Sequence, residues 1–169
     1  MIKLLTHRHN GSDKTTMSKL ELRIPPVGIS LLFCAAMWLV SGVTPDYAFH
    51  PLFQAVLIAL LLAAGAVFGL GGVLAFKKAG TTVNPLQPEK SSSLVDSGVY
   101  RFSRNPMYLA LLFVLLALGM FLANVNALVI AALFVPYMNR FQIQPEERAM
   151  EKLFGDEFGN YCRSVRRWI

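Results

Sequence analysis

Three stretches of the chain, residues 27–43, 48–76 and 106–139, are strongly apolar and contain no Asp, Glu, Lys or Arg. A helix crosses the hydrocarbon of a bilayer with about 20 apolar residues, within a range of roughly 17 to 25. Residues 27–43 fit one crossing at the short end, and 52–76 fit a long or tilted one. As a single helix, 106–139 would be about 50 Å long, too long for one span. Asn124-Val125-Asn126 offers a turn inside it. The pattern then predicts a tight hairpin of short helices over 107–123 and 127–139, the second interrupted by Pro136. The expected fold is all-α: a polytopic membrane protein of about four transmembrane helices, with cytoplasmic C-terminal helices.

The polar segments set the orientation. Lys3, Arg8, Lys14, Lys19 and Arg23 precede the first span, and Lys77, Lys78, Lys90, Arg101 and Arg104 lie between the second and third. Arg140, Arg148, Lys152, Arg163, Arg166 and Arg167 follow the fourth, while the 44–51 loop and the 124–126 turn hold no basic residue. By the positive-inside rule both termini and the long middle loop face the cytoplasm. Three regions follow: a cytoplasmic tail (1–26), two transmembrane helices (27–76), and a core of loop, hairpin and C-terminal helices (77–169).

Composition agrees with this picture. Only 15% of the 169 residues are charged, 54% are hydrophobic, and the net charge is +6. Soluble domains carry about 25% charged residues. The apolar content excludes disorder. Two cysteines, Cys34 in a span and Cys162 in the reducing cytoplasm, exclude a disulfide scaffold. With the basic residues gathered on one side of the spans, the charge reads as orientation and contact with anionic lipid, not as a nucleic-acid surface.

Several motifs resolve into ordinary structure. The first span lacks a cleavage site and should remain as an anchor. His7 and His9 sit in a polar tail without further ligands, so no metal is expected, and Met17 is an alternative start. Pro25 and Pro26 stop a helix from running back out of the first span. Gly65 and Gly69 permit close helix packing. With Gly71 and Gly72 they do not make G-x-G-x-x-G, because position 74 is Leu.

Chemistry is expected in the two cytoplasmic segments that flank the hairpin. The 77–105 loop is rich in Gly, Pro, Ser, Thr and Asn, and loops of this length are usually functional or disordered. Asn84 and Asn105 each precede a proline, favouring turns. Pro106 suits the first turn of the third span, with Asn105 at the cap position; on spacing alone a simple cap is favoured. After the hairpin, Pro145 suits a helix start, with Glu146 and Glu147 in the first turn. Ala149, Met150, Leu153 and Phe154 form its apolar stripe, and Glu146 shares a face with Ala149, Met150 and Leu153. A carboxylate there is a candidate for a cationic group or a plain dipole partner. Gly155 can end this helix. A second, amphipathic helix should follow, bearing Phe158, Tyr161, Cys162, Val165 and Trp168.

Together LVDSGVYRFSRNPMYLALL and, after the hairpin, PEERAMEKLFGDEFGNYCRSVRRWI resemble the isoprenylcysteine carboxyl methyltransferase and phospholipid methyltransferase family of integral membrane enzymes. The likeness covers roughly residues 80–169. It implies S-adenosylmethionine bound on the cytoplasmic side without a Rossmann domain. The implied cofactor contacts are Leu94, Val95, Gly98, Tyr100, Asn105, Pro106, Met107, Tyr108, and one or both of Glu146 and Glu147. Many members have His where this chain has Asn105, which cannot titrate near neutral pH. Arg140 is the candidate to receive an anionic substrate head, with snorkelling as its ordinary alternative.

The leading expectation is an S-adenosylmethionine-dependent methyltransferase for a hydrophobic or lipid-like acceptor, isoprenylcysteine carboxylate-like, reached from the lipid. Alternatives are methylation of a phospholipid amine or small thiol, and a non-catalytic transport or scaffold subunit. Transport is disfavoured because no ionisable Asp, Glu, Lys, Arg or His lies inside a span. The sequence leaves the oligomeric state open.

Overall fold

The computed structural model of the chain describes residues 24–47, 50–80 and 93–169. The tail with His7, His9 and Met17, most of the lead-in to the first span, and the Asn84–Pro85 turn lie outside the described residues. Within them the fold is all-helical, with no strand. Its helices are α1 (Pro26–Ser41), α2 (Pro51–Ala79), α3 (Pro106–Phe121), α4 (Val125–Met138), α5 (Gln144–Phe154) and α6 (Asp156–Ser164). A 3₁₀ turn, Gly98–Arg101, precedes α3, and a π turn, Asn139–Ile143, joins α4 to α5.

The first three helices each open on a proline, whose missing N–H costs nothing in a first turn and whose φ is already helical. Gly80, at φ 63°, closes α2 in the left-handed conformation that glycine adopts without strain. α2 runs along α3, and the glycines set how closely. A Cβ on Gly65 would stand 3.3 Å from the Ala110 carbonyl oxygen, and one on Gly72 would stand 2.9 Å from Met107 Cγ. The small-residue face is thus used for packing inside the chain.

Two apolar clusters result. Met37 of α1, Leu115 of α3, and Ala131, Phe134 and Met138 of α4 form the larger one. The second lies where the loop and C-terminal segments meet α2, around Ala75, Val95, Tyr100, Phe158 and Tyr161. Cys34 packs on the first and Cys162 on the second. At the other end of the bundle, buried Asn124 caps α4 through Ala127 N–H (3.1 Å). Its amide also donates to Thr44 Oγ1 (2.9 Å) and the Pro45 carbonyl (3.2 Å), tying the α1–α2 loop to the hairpin turn.

Among the described residues, α2 is the one helix long and apolar enough to cross a membrane, and its apolar window is only 11% buried inside the protein. A core helix of a soluble protein would be mostly covered, whereas α2 leaves most of its apolar surface outside the protein, with the length and composition that suit a span. The 16-residue α1 and α3 are apolar but shorter, about 24 Å each.

The C-terminal half departs from expectation in three places. Pro136 lies inside α4 without ending it. Pro145 stands in the first turn of α5 with Glu146 and Glu147, as expected, but the chain enters that helix straight from the π turn, and Leu153, expected on the apolar stripe, is exposed. The last helix stops at Ser164, and Val165 is extended (φ −126°, ψ 135°). Val165 and Trp168 therefore belong to a strap that follows the helix, because the strap's carbonyls are engaged by the segment leading into α3.

Candidate active site

The strap and the entry to α3 build one wall of the site. Arg104 N–H donates to the Arg166 carbonyl (3.0 Å), and Arg104 Nη1 donates to the carbonyls of Cys162 (3.1 Å) and Val165 (2.7 Å). Asn105 occupies the cap position of α3, but its side chain does not cap the helix. Asn105 Nδ2 instead donates to the Arg167 carbonyl (2.9 Å). The expectation of a simple cap is thereby corrected: the amide's N–H end is turned to the strap carbonyl, and its oxygen accepts from no N–H of the helix's first turn. Trp168 Nε1 donates to Asn139 Oδ1 (3.0 Å), fixing the strap to the π turn.

The two adjacent glutamates at the start of α5 have different surroundings. Glu147 accepts from Arg104 Nη2 (2.7 Å) and from Arg167 Nη2 (2.5 Å) and Nε (3.1 Å). Burial pushes its carboxyl up, but hydrogen bonds from Arg167 and Arg104, with their charges, hold it below its ordinary value. Glu146 meets a phenol instead: Tyr108 on α3 donates its hydroxyl hydrogen to Glu146 Oε1. Burial pushes the Glu146 carboxyl up to about 8, opposed by the Tyr108 hydrogen bond and reinforced by the Glu147 charge. At neutral pH Glu146 is therefore mostly the neutral acid, beside a Glu147 that stays ionised.

The loop residues lie on the other side of this pair. Leu94 and Val95 pack into the second cluster with Tyr100. Gly98, at φ 61°, opens the 3₁₀ turn. Tyr100 is buried, stands edge-on to Phe76 with ring centroids 5.5 Å apart, and accepts at its carbonyl from Tyr161 Oη (2.7 Å). Burial, then the neighbouring Tyr161 and Glu146, push its phenol up. Tyr100, Tyr108 and Glu146 thus converge at the seam between the two apolar clusters.

An apolar cleft of about 650 Å³ lies between the start of α1, the glycine face of α2, and α3. Pro26, Gly65, Gly69, Met107, Tyr108 and Leu111 are among its lining residues, none of them charged. Tyr108 links this cleft to Glu146. Pro106 is fully buried at the head of α3. Arg140 does not line the cleft; it is exposed on the π turn, with its guanidinium 5.6 Å from the Phe141 ring centroid.

Residues 53–157 match the phospholipid methyltransferase family, a span that takes in nearly all of α2, the helices to α5, and every expected cofactor contact, while the strap and Pro26 lie outside it. The chain belongs to the phospholipid methyltransferase family. The family makes it a membrane-associated methyltransferase with a lipid-like substrate, in keeping with the exposed apolar surface of α2. A protein of Haemophilus influenzae described as uncharacterised is 44% identical over 63 residues, covering 37% of this chain and the whole of that protein. No solved structure matches the chain.

Sequence reasoning missed Arg104, Arg167 and the strap. Arg104 stands in the very RFSRNP motif, and its signal was present but read only as orientation charge. Arg166 and Arg167 fall within the helix that the spacing predicts through Trp168, but that helix ends at Ser164.

Proposed function

We propose that the chain is an S-adenosylmethionine-dependent methyltransferase acting on a lipid-like acceptor at the cytoplasmic face, with α1 to α4 as four spans and both termini cytoplasmic. The observation that carries the reading is the pairing of an enclosed, uncompensated carboxyl with a lipid-sized apolar cleft through one side chain, Tyr108.

The residues fit the cofactor's chemistry. Glu147 takes both nearby guanidiniums, and Glu146 has a phenol as its hydrogen-bond partner among the described residues. A cationic ligand group is what Glu146 lacks. In this reading Glu146, once deprotonated, pairs with the cofactor's ammonium, with Tyr108 fixing the carboxyl's orientation. Asn105, tied to the strap, sets the entry to α3, and Leu94, Val95, Gly98, Tyr100, Pro106 and Met107 shape the enclosure. When bound, S-adenosylmethionine supplies a methyl group already activated on a sulfonium. The chain's share is alignment of donor and acceptor and exclusion of water.

The acceptor's apolar part occupies the cleft, entering from the lipid between α1, α2 and α3. A phospholipid amine is favoured over a carboxylate acceptor by the family and by the lack of any cation among the lining residues, with Glu146 next to the wall. An amine must shed a proton before attack. Arg140, exposed on the π turn, serves the lipid phosphate in this reading. The test is transfer of a radiolabelled methyl group from S-adenosylmethionine to phosphatidylethanolamine vesicles by the purified full chain. Label in the lipid fraction is expected; label in none of phosphatidylethanolamine, a prenylcysteine or a small thiol would contradict the proposal.

A further inference from the structure

Among the described residues that line the cleft, Tyr108 is the one whose side chain carries a polar atom. Its place along the cleft is definite. α2 and α3 run antiparallel there, with Gly65 of α2 against Ala110 and Val114, and Gly72 against Pro106 and Met107. The α2 wall extends from Leu62 to Val73, about 17 Å at the rise of a helix. Tyr108, in the first turn of α3, stands at the Val73 end, and the Leu62 end is wholly apolar. An amphiphile whose chain lies along this wall meets Tyr108 with its head.

The single hydrogen of the Tyr108 phenol is committed to Glu146 Oε1. Toward the cleft the oxygen therefore offers only lone pairs. A head seated against it must bring an N–H or O–H, and a carboxylate or phosphate oxygen brings neither. Behind the phenol, Glu146 titrates at about 8, close to working pH, where a general base is most effective. The titratable groups facing Glu146 are Tyr108, Glu147 and Tyr100 of the 3₁₀ turn, while Arg104 and Arg167 are turned to Glu147.

We propose that Tyr108 and Glu146 are the proton-accepting pair for the acceptor's amine: Tyr108 Oη takes a proton from the ammonium as its own hydrogen passes to Glu146 Oε1. The inference rests on the methyltransferase reading and deepens it. One N–H bond breaks and leaves its electron pair on nitrogen as the nucleophile. One O–H bond at Tyr108 breaks as another forms, so the net gain is a single proton on Glu146. That proton is given up to solvent when the next cofactor binds, which restores the carboxylate. A trimethylated head has no N–H left, so the same pair sets where methylation stops.

Binding to the cofactor-free chain tests the N–H requirement without turnover. The probes are decyldimethylamine, protonated at neutral pH, and decyltrimethylammonium, of equal chain and charge but without an N–H. Calorimetry in micelles, blanked with protein-free micelles, should show the first binding about tenfold tighter or more, the worth of one hydrogen bond from a charged donor. Tyr108→Phe should erase that preference. Equal affinities in wild type, or a preference that survives in Tyr108→Phe, would overturn the proposal. Should the variant not fold, the wild-type comparison still decides. In single turnovers on phosphatidylethanolamine, Tyr108→Phe should be about 100-fold slower at neutral pH. Its deficit should shrink as pH rises toward the amine's own range, where solvent removes the proton. A deficit equal at every pH, with weakened cofactor binding, would leave Tyr108 only a prop for Glu146 and also overturn the proposal. If wild type binds no S-adenosylmethionine, the methyltransferase reading fails, and the two probes distinguish that from failure of the pair.

Discussion

Tyr108 donates its phenolic hydrogen to Glu146, and this one bond joins the wall of an apolar cleft to a carboxyl enclosed by protein. Next to it, Glu147 is held by two arginines. Two successive identical side chains thus have opposite electrostatic fates, one pushed up to about 8 and the other held down.

The raised carboxyl makes the stability of the cofactor-free protein fall with pH. The native value of about 8 exceeds the unfolded value of 4.5, so between them the folded state holds more protons than the unfolded one. This group's contribution is fully present below the unfolded value and is lost as pH rises through the folded one. Thermal unfolding of wild type and Glu146→Gln from about pH 5 to about pH 9 should show a decline in the former that the latter lacks.

In the proposed reading Glu147 organises the site and Glu146 binds the cofactor. Glu147→Ala leaves the largely buried Arg104 guanidinium without its carboxylate and should cost about 3 kcal/mol. Arg167→Ala, at a side chain 34% exposed, should cost only about 1 kcal/mol. Chemical unfolding in micelles measures both, and equal costs would place the weight on the strap instead.

Parts of this site were legible in the sequence for a local reason. RFSRNP and QPEE announce themselves through prolines at helix starts and acids in a first turn, and those signals hold within a few residues. The hairpin was legible too, because a charge-free run too long for one span must turn, and Asn124 does turn it. The division of labour between Glu146 and Glu147 was not, since it depends on partners 38 and 43 positions away. Nor was the strap: the aromatic spacing runs on through Trp168, but Arg104 and Asn105 take the carbonyls of Val165, Arg166 and Arg167 and draw that segment out of helix. The π turn leaves no mark in the spacing of apolar residues.

The close approach of α2 and α3 predicts a paired loss. Gly65→Leu sets a bulky side chain against the Ala110 carbonyl, 3.3 Å from where its Cβ would stand. It should destabilise by about 2 kcal/mol and, because Gly65 lines the cleft, raise KM for the lipid more than Kd for the cofactor. Equal effects on both constants would argue against the cleft as the acceptor's path.

At the far end, Asn124→Ala removes the α4 cap and the bonds to Thr44 and Pro45. A loss of about 2 to 3 kcal/mol is expected, with cofactor affinity in the surviving folded protein unchanged. Unfolding curves and a binding titration on one preparation check both.

Glu146 is proposed to hold the cofactor's cation. Calorimetric titration of S-adenosylmethionine into the full chain in micelles tests it directly, with wild type and Glu146→Gln compared in two buffers of different ionisation enthalpy. The account predicts saturable binding to wild type with release of a proton near neutral pH, and at least tenfold weaker binding without that release in the variant. Binding of equal strength in both proteins, or no saturable heat with wild type, would contradict it.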